Sequence, residues 1–112
     1  MVQNINSKEE FDNILNETKW IIIADFFATW CGPCQMLKPV IEELSEEHKD
    51  IKFVKVDVDE VTELAAEYWI TSIPTVFIVY NHDIKEGFLW ANPKEFYEEK
   101  IKKYQEEMKD PL

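Results

Sequence analysis

The segment that decides both the fold and the chemistry runs from residue 20 to residue 34 and reads WIIIADFFATWCGPC. Its first part, Trp20 to Ala28, is apolar except for Asp25, which is typical of a central strand covered on both faces. Both cysteines of the chain, Cys31 and Cys34, follow at a spacing that allows a disulfide within one turn. The segment therefore predicts a buried strand that leads directly into a dithiol.

Composition limits the class of protein around that dithiol. The 112 residues, 46% of them apolar, suit one compact core, so we expect residues 1–112 to form a single domain. The chain has 23 acids against 12 bases, and its formal net charge is −11. This charge argues against binding to nucleic acid or to an anionic membrane.

The N-terminal residues also bear on the compartment. Residues 1–6 (MVQNIN) contain neither the basic region nor the apolar stretch of a signal peptide. No later run approaches the roughly 18 apolar residues of a membrane span. We therefore expect a cytoplasmic protein, and in that reducing compartment a catalytic or metal-binding cysteine pair is favoured over a structural disulfide.

Strand and helix patterns alternate along the chain without repeats or linkers. Strand patterns cover Val2 to Ile5, Trp20 to Ala28, Lys52 to Val58, Thr75 to Tyr80 and Lys85 to Trp90. Helical patterns cover Ser7 to Asn16, Cys34 to Glu47, Val61 to Tyr68, and a last helix that buries Tyr97, Ile101, Tyr104 and Met108. This order predicts an α/β fold with a central mixed β-sheet of about five strands and about four helices on its two faces.

Local signals refine the ends of these elements. Ser7 and Glu10 predict a reciprocal capping box at the first helix. Pro39 predicts a kink in the second helix, and Asn92 with Pro93 predicts the cap and first residue of the last one. Residues 81–83 (NHD) replace the usual Asn-Gly of a hairpin, which predicts a different turn geometry.

These residues together resemble the thioredoxin family. The resemblance rests on residues 25–34 (DFFATWCGPC), Pro39, Lys55 with Asp57, and residues 72–75 (SIPT), and it covers nearly the whole chain. It implies the thioredoxin fold and a protein-disulfide reductase that cycles between dithiol and disulfide. It also implies a monomer, with thioredoxin reductase and disulfide-containing proteins as partners. No bound cofactor is expected, because the cysteines carry the electrons.

The two cysteines are expected to have different roles. Cys31 precedes the second helix, whose free N–H groups and positive dipole end stabilise a thiolate, so we expect it to be the nucleophile. Cys34, one turn inside the helix and less exposed, is then the resolving thiol. Gly32 leaves room for an approaching substrate and Pro33 stiffens the turn between the sulfurs. In the family, a Gly-Pro pair at this place accompanies reductants.

Asp25 is the next candidate catalytic residue. A carboxylate in an apolar central strand is costly to leave charged, so burial should raise its pKa. A raised pKa suits a proton acceptor for Cys34. The resemblance implies that Lys55 approaches this carboxylate and modulates it.

The resemblance places the remaining site residues along a groove for an extended substrate. Pro74 is expected to be a cis proline that faces the dithiol, and Ile73 to offer its backbone to the substrate. Trp30 is expected to belong to the docking surface rather than the core. Trp90 stands where the family usually has glycine, and with Ala91 it is expected to border the groove and to narrow substrate choice.

Other functions remain to be weighed. A zinc site needs four ligands, but His48 and His82 lie far apart in sequence, so we expect no metal. A haem link would need histidine at Gln35. A thiol oxidant or isomerase on the same fold is disfavoured by the Gly-Pro pair and the lack of a signal peptide. A non-catalytic binding module would use Trp69 and Trp90 as its contact patch.

Overall fold

The structure, a computed structural model, describes residues 1–109, with side chains described as far as residue 107. Within that range five strands and four helices alternate: β1 (Val2–Ile5), α1 (Lys8–Glu17), β2 (Ile22–Phe27), α2 (Gly32–Glu47), β3 (Lys52–Asp57), α3 (Thr62–Glu67), β4 (Thr75–Tyr80), β5 (Asp83–Leu89) and α4 (Lys94–Lys109). The predicted order of elements is confirmed. The predicted burial of Met108 lies outside the described side chains. No helix among residues 1–109 is both long and apolar enough to cross a membrane.

The strands form one mixed sheet in the order β1-β3-β2-β4-β5. β2 is the central strand, and it is parallel to β3 and antiparallel to β4. Of the outer strands, β1 is parallel to β3 and β5 is antiparallel to β4. The continuous apolar run of β2 predicts its central position, because only a strand covered on both faces can bury every side chain. The sheet and helices match the predicted α/β architecture.

Two hydrophobic clusters cover the two faces of the sheet. Alternate residues of β2, together with Ile21 just before it, divide between them: Ile21 and Ile23 lie in one cluster, and Ile22 and Phe26 in the other. The first cluster contains side chains of α2 and α4, and the second contains side chains of α1 and α3. Asp25 continues the alternation of Ile21 and Ile23, so its side chain points toward the α2 and α4 layer.

The capping box at α1 is only half as predicted. Ser7 Oγ accepts the N–H of Glu10 at 3.1 Å, as expected. The carboxylate of Glu10, however, accepts the N–H of Asn6 at 2.7 Å rather than that of Ser7. Glu10 therefore binds the residue before the N-cap, and the predicted reciprocal bond to Ser7 was wrong.

The hairpin turn between β4 and β5 keeps the left-handed geometry that Asn-Gly normally supplies. Asn81 and His82 have φ angles of 54° and 71°, so the prediction of another turn geometry was wrong. Asn81 donates its N–H to the carbonyl of Lys19 at 2.9 Å, and His82 Nδ1 lies 2.8 Å from the carbonyl oxygen of Leu15. These contacts with the segment after α1 hold a turn that lacks glycine.

Asn92 does not cap α4, which begins at Lys94 and is preceded by Pro93. The side-chain amide of Asn92 donates instead to the carbonyl of Leu89 at 2.9 Å. The predicted cap was therefore wrong, and Asn92 closes the loop that follows β5. This loop carries Trp90.

Candidate active site

The two cysteines form a disulfide at the N-terminus of α2, with Cα atoms 5.2 Å apart. Cys31 is the N-cap residue, and its Sγ accepts the N–H of Cys34 at 3.2 Å. Gly32 and Pro33 lie in the first turn, so α2 begins two residues earlier than predicted. A sulfur at this position faces the free N–H groups and positive dipole end of the helix. In the reduced state these favour the thiolate of Cys31.

Both sulfur-bearing residues are buried. Cys31 is 5% exposed and Cys34 is 3% exposed, so exposure hardly separates them. Phe27, Val58 and Ile73 pack against the cluster that contains the pair. Ile73 therefore contacts the dithiol cluster, as its predicted place beside the substrate groove requires.

Asp25 lies in β2 directly opposite Lys55 in the register of β2 and β3. The Asp25 side chain is buried, and its Oδ1 has no hydrogen-bond partner among the described residues. Burial raises the pKa of Asp25 from its ordinary 3.8 to about 7, while the positive charge of Lys55 acts to lower it. The predicted rise in pKa and the predicted approach of Lys55 are both found.

A cavity of about 250 Å³ connects the carboxylate of Asp25 with Cys34. Its lining residues are Asp25, Phe27, Thr29, Cys34, Gln35, Lys38 and Lys55. Thr29 and Gln35 at its mouth are joined by a hydrogen bond from Gln35 Nε2 to the carbonyl of Thr29 at 3.2 Å. Sequence reasoning missed Lys38, although its position one turn after Cys34 on the same helix was a usable signal.

Pro74 follows Ile73, which packs against the cysteine cluster. The peptide bond between Ile73 and Pro74 is cis, as predicted. Trp90 donates its N–H to the carbonyl of Pro74 at 3.3 Å, which ties the loop after β5 to this proline. Ala91, next in the loop, is half-buried and packs against the α2 and α4 cluster.

Trp90 is exposed and its backbone is left-handed. The residue is 72% exposed and has a φ angle of 70°. A left-handed backbone is uncommon for residues other than glycine, so a glycine would fit this position without strain. Trp69 has the same features, with 85% exposure and a φ angle of 56°. Trp90 is therefore not a core residue.

Trp30 lies on the surface beside Cys31. It is 72% exposed, and its Nε1–H donates to Asp59 Oδ2 at 2.8 Å. Asp59 in turn donates its N–H to Asp57 Oδ1 at 2.9 Å. The indole is thus held in place without being buried. Sequence reasoning missed Asp59, and its position two residues after the motif residue Asp57 was the only signal for it.

Among residues 1–107, a group that could hold a metal ion consists of Glu47, His48 and Glu98, whose ligand atoms lie within 4.8 Å of one another. Glu47 is already bound by Lys94 Nζ at 2.5 Å. The group lies at the C-terminal end of α2, opposite the end that carries Cys31. It is therefore separate from the dithiol.

Comparison with known proteins gives consistent matches. The family model for thioredoxin matches residues 2–104. Thioredoxin of Mycoplasmoides gallisepticum is 40% identical over 101 residues, which cover 90% of this chain and 100% of that protein. Thioredoxin of Bacillus subtilis is 44% identical over 85 residues, covering 75% of this chain and 82% of that protein. A solved structure of Plasmodium falciparum thioredoxin superposes with a TM-score of 0.85 at 40% identity, covering 92% of this chain and 99% of that one.

Proposed function

The chain belongs to the thioredoxin family of thiol–disulfide oxidoreductases, and we propose that Cys31 is its nucleophile and Cys34 its resolving thiol. It acts as a protein-disulfide reductase through the Cys31–Cys34 pair. Neither a thiol oxidant or isomerase nor a non-catalytic binding module is favoured by its relatives. The position of Cys31 as the cap of α2 supports the division of roles, since the helix N-terminus favours its thiolate.

The reaction passes through a mixed disulfide. The Cys31 thiolate attacks one sulfur of the substrate disulfide, that S–S bond breaks, and the departing sulfur leaves as a thiolate that takes up a proton. The Cys34 thiolate then attacks Cys31 Sγ. The intramolecular disulfide forms and the second substrate sulfur departs. Two electrons have moved from the protein dithiol to the substrate.

Asp25 is the proton acceptor for Cys34 in the second step. The carboxylate and Cys34 line one cavity, so a proton can pass between them directly or through water within it. With a pKa of about 7, Asp25 is part ionised at neutral pH and can both take up and release the proton. Lys55, opposite Asp25 in the sheet, keeps that pKa from rising further.

The substrate chain lies in a groove beside the disulfide. The groove residues are Trp30, Gly32, Pro33, Ile73, Pro74, Trp90 and Ala91. A Cβ added to Gly32 would meet nothing within 4 Å, so the fold does not need glycine there. An unobstructed approach for the substrate is the remaining reason for that glycine. The indole of Trp90, tied to Pro74 through its backbone, adds an apolar contact and narrows the groove.

Disulfide-containing proteins are the substrates, as the family implies. Thioredoxin reductase is the electron source, and the chain works in the cytoplasm, where such a reductase keeps the dithiol reduced. We propose that the chain acts as a monomer. Residues 1–112 act as a single domain, which the family match over residues 2–104 supports.

The observation that carries this proposal is the cavity that joins Asp25 and Lys55 to Cys34 at the end of α2. Its test is the rate of resolution of a mixed disulfide preformed on Cys31, measured by stopped flow across pH. The wild-type rate should rise with pH through a midpoint near 7, and Asp25→Asn should lose that step. If Asp25→Asn showed the same pH dependence of the resolution rate as the wild type, Asp25 would have no part in the mechanism.

A further inference from the structure

Tyr97 in α4 shares an unusual property with Asp25. Among the described side chains, the buried polar atoms without a hydrogen-bond partner are Asp25 Oδ1 and Tyr97 Oη. Tyr97 is fully buried, with 0% of its surface exposed. An unpaired buried polar atom is destabilising, so two of them in one small protein need an explanation.

The two side chains lie in the same layer of the fold. Tyr97 belongs to the cluster between the sheet and the helices α2 and α4, and Asp25 points to that layer from β2. Val76, the register partner of Asp25 in β4, belongs to the same cluster. The charge of Asp25 is close enough to raise the pKa of Tyr97, although burial is the larger cause of that rise.

Asn92 is the other polar neighbour of Tyr97. Its side chain and its backbone N–H both approach Oη as donors and act against the rise in the pKa of Tyr97, although neither reaches hydrogen-bond distance and angle. Its amide is already engaged, since it donates to the carbonyls of Leu89 and Trp90 at 2.9 and 3.4 Å. The hydroxyl of Tyr97 is therefore left with a proton to donate, and Asp25 Oδ1 with a lone pair to fill.

We propose that Tyr97 is a positioning residue for Asp25, whose Oδ1 receives the hydrogen bond of the Tyr97 hydroxyl through one buried water. A water between these atoms has a donor on one side and an acceptor on the other, which is the minimum for an ordered buried site. The arrangement favours the ionised carboxylate and so opposes the effect of burial. The inference rests on the proposed role of Asp25 as proton acceptor.

Few other groups face Asp25. β4 presents the apolar Val76, and α4 presents Tyr97. The titratable or charged groups around the carboxylate are Cys34 and Lys38 of α2, Lys55 of β3 and Tyr97 of α4. Tyr97 is the one hydroxyl among these four groups, and it is not part of the cavity lining.

The decisive measurement is the pKa of Asp25 in the oxidised protein, read from its carboxyl carbon shift by NMR. Tyr97→Phe removes only the hydroxyl and should raise that pKa by about one unit, the equivalent of one hydrogen bond to a charged acceptor. Tyr104→Phe is the matched control, because Tyr104 lies in the same helix and its hydroxyl donates to Glu86. This control should leave the pKa of Asp25 unchanged while lowering stability.

A second measurement needs no substitution at Tyr97. In the wild-type protein the Cζ shift of Tyr97 should follow the titration of Asp25, and in Asp25→Asn this step should vanish. Any one of three results would overturn the inference. The pKa of Asp25 could be unchanged in Tyr97→Phe, it could shift equally in Tyr104→Phe, or the Cζ shift of Tyr97 could fail to follow the titration of Asp25. If these shifts occur but Asp25→Asn resolves mixed disulfides normally, the hydrogen bond stands and the catalytic role of Asp25 fails.

Discussion

Replacing Trp90 by glycine tests whether this residue controls substrate choice at the groove or mainly stabilises the fold. The indole is 72% exposed, so its removal costs little burial, whereas truncating a buried tryptophan costs about 3–5 kcal/mol. The left-handed backbone, with a φ angle of 70°, costs a residue with a side chain about 1–2 kcal/mol. Glycine is free of that cost but loses about 0.5–1 kcal/mol through its greater freedom in the unfolded chain.

The balance is a stability that stays level or rises by about 1 kcal/mol, which corresponds to an increase in Tm of about 4 °C for a chain of this size. Activity should change in a different way. With the groove widened beside Pro74, Trp90→Gly should reduce insulin disulfides faster and should lose affinity for any partner that contacts the indole. Stability and specificity are thereby expected to move independently.

The chain supplies its own control in Trp69, which has the same side chain, a φ angle of 56° and 85% exposure. Trp69→Gly should change Tm as Trp90→Gly does, yet it should leave the relative rates across a substrate panel unaltered. Trp90→Ala removes the indole but keeps a Cβ on the left-handed backbone, and so isolates the effect of the ring. The reasoning would be refuted if Trp90→Gly lowered the free energy of unfolding by several kcal/mol while its relative rates across the substrate panel stayed the same.

Three further outcomes are expected. Cys31→Ser should abolish insulin reduction and Cys34→Ser should trap substrates on Cys31, which mass spectrometry of the adduct checks; equal trapping through Cys34 would contradict the assignment. Because burial raises the pKa of Asp25 from 3.8 to about 7, the folded state binds the proton more tightly, and on the order of 4 kcal/mol of stability is lost as pH rises from about 4 to 7. Asp25→Asn should therefore be more stable than wild type in urea at pH 8 and little different at pH 4, and a constant difference would mean that Asp25 is not buried. Lys55→Met should move the pH midpoint of resolution upward, while Lys52→Met on the same strand should not; matching shifts would show only a general charge effect.

The central part of the fold could be predicted because its signals are local and redundant. The apolar run of β2 is too continuous for a half-exposed strand, and it indicated the centre of the sheet before any pairing was known. The raised pKa of Asp25 followed from the same run, since a single acid among apolar neighbours must be desolvated. Both inferences depend on sequence neighbours alone.

What sequence reasoning missed depends on contacts between distant segments. Helical spacing predicted that Tyr97 is buried, but its lack of a partner and its place in the layer of Asp25 arise only when α4 packs on the sheet. The bond from Trp30 to Asp59 joins residues 29 positions apart in the same way. The prediction for the turn at Asn81 and His82 was wrong for another reason. Asparagine and histidine both tolerate a left-handed backbone, so glycine was not required there.

We expect the two sulfurs to differ through the control of their protons rather than through access. Their residues are 5% and 3% exposed, a gap too small to decide which one meets a substrate. The helix N-terminus acts on Cys31, the cap, and the cavity with Asp25 opens on Cys34. On the proposed mechanism, the helix N-terminus favours the thiolate of Cys31, whereas Cys34 ionises when the carboxylate of Asp25 takes its proton. The order of the two attacks follows from this sequence of ionisations, because a thiolate attacks a disulfide and a thiol does not.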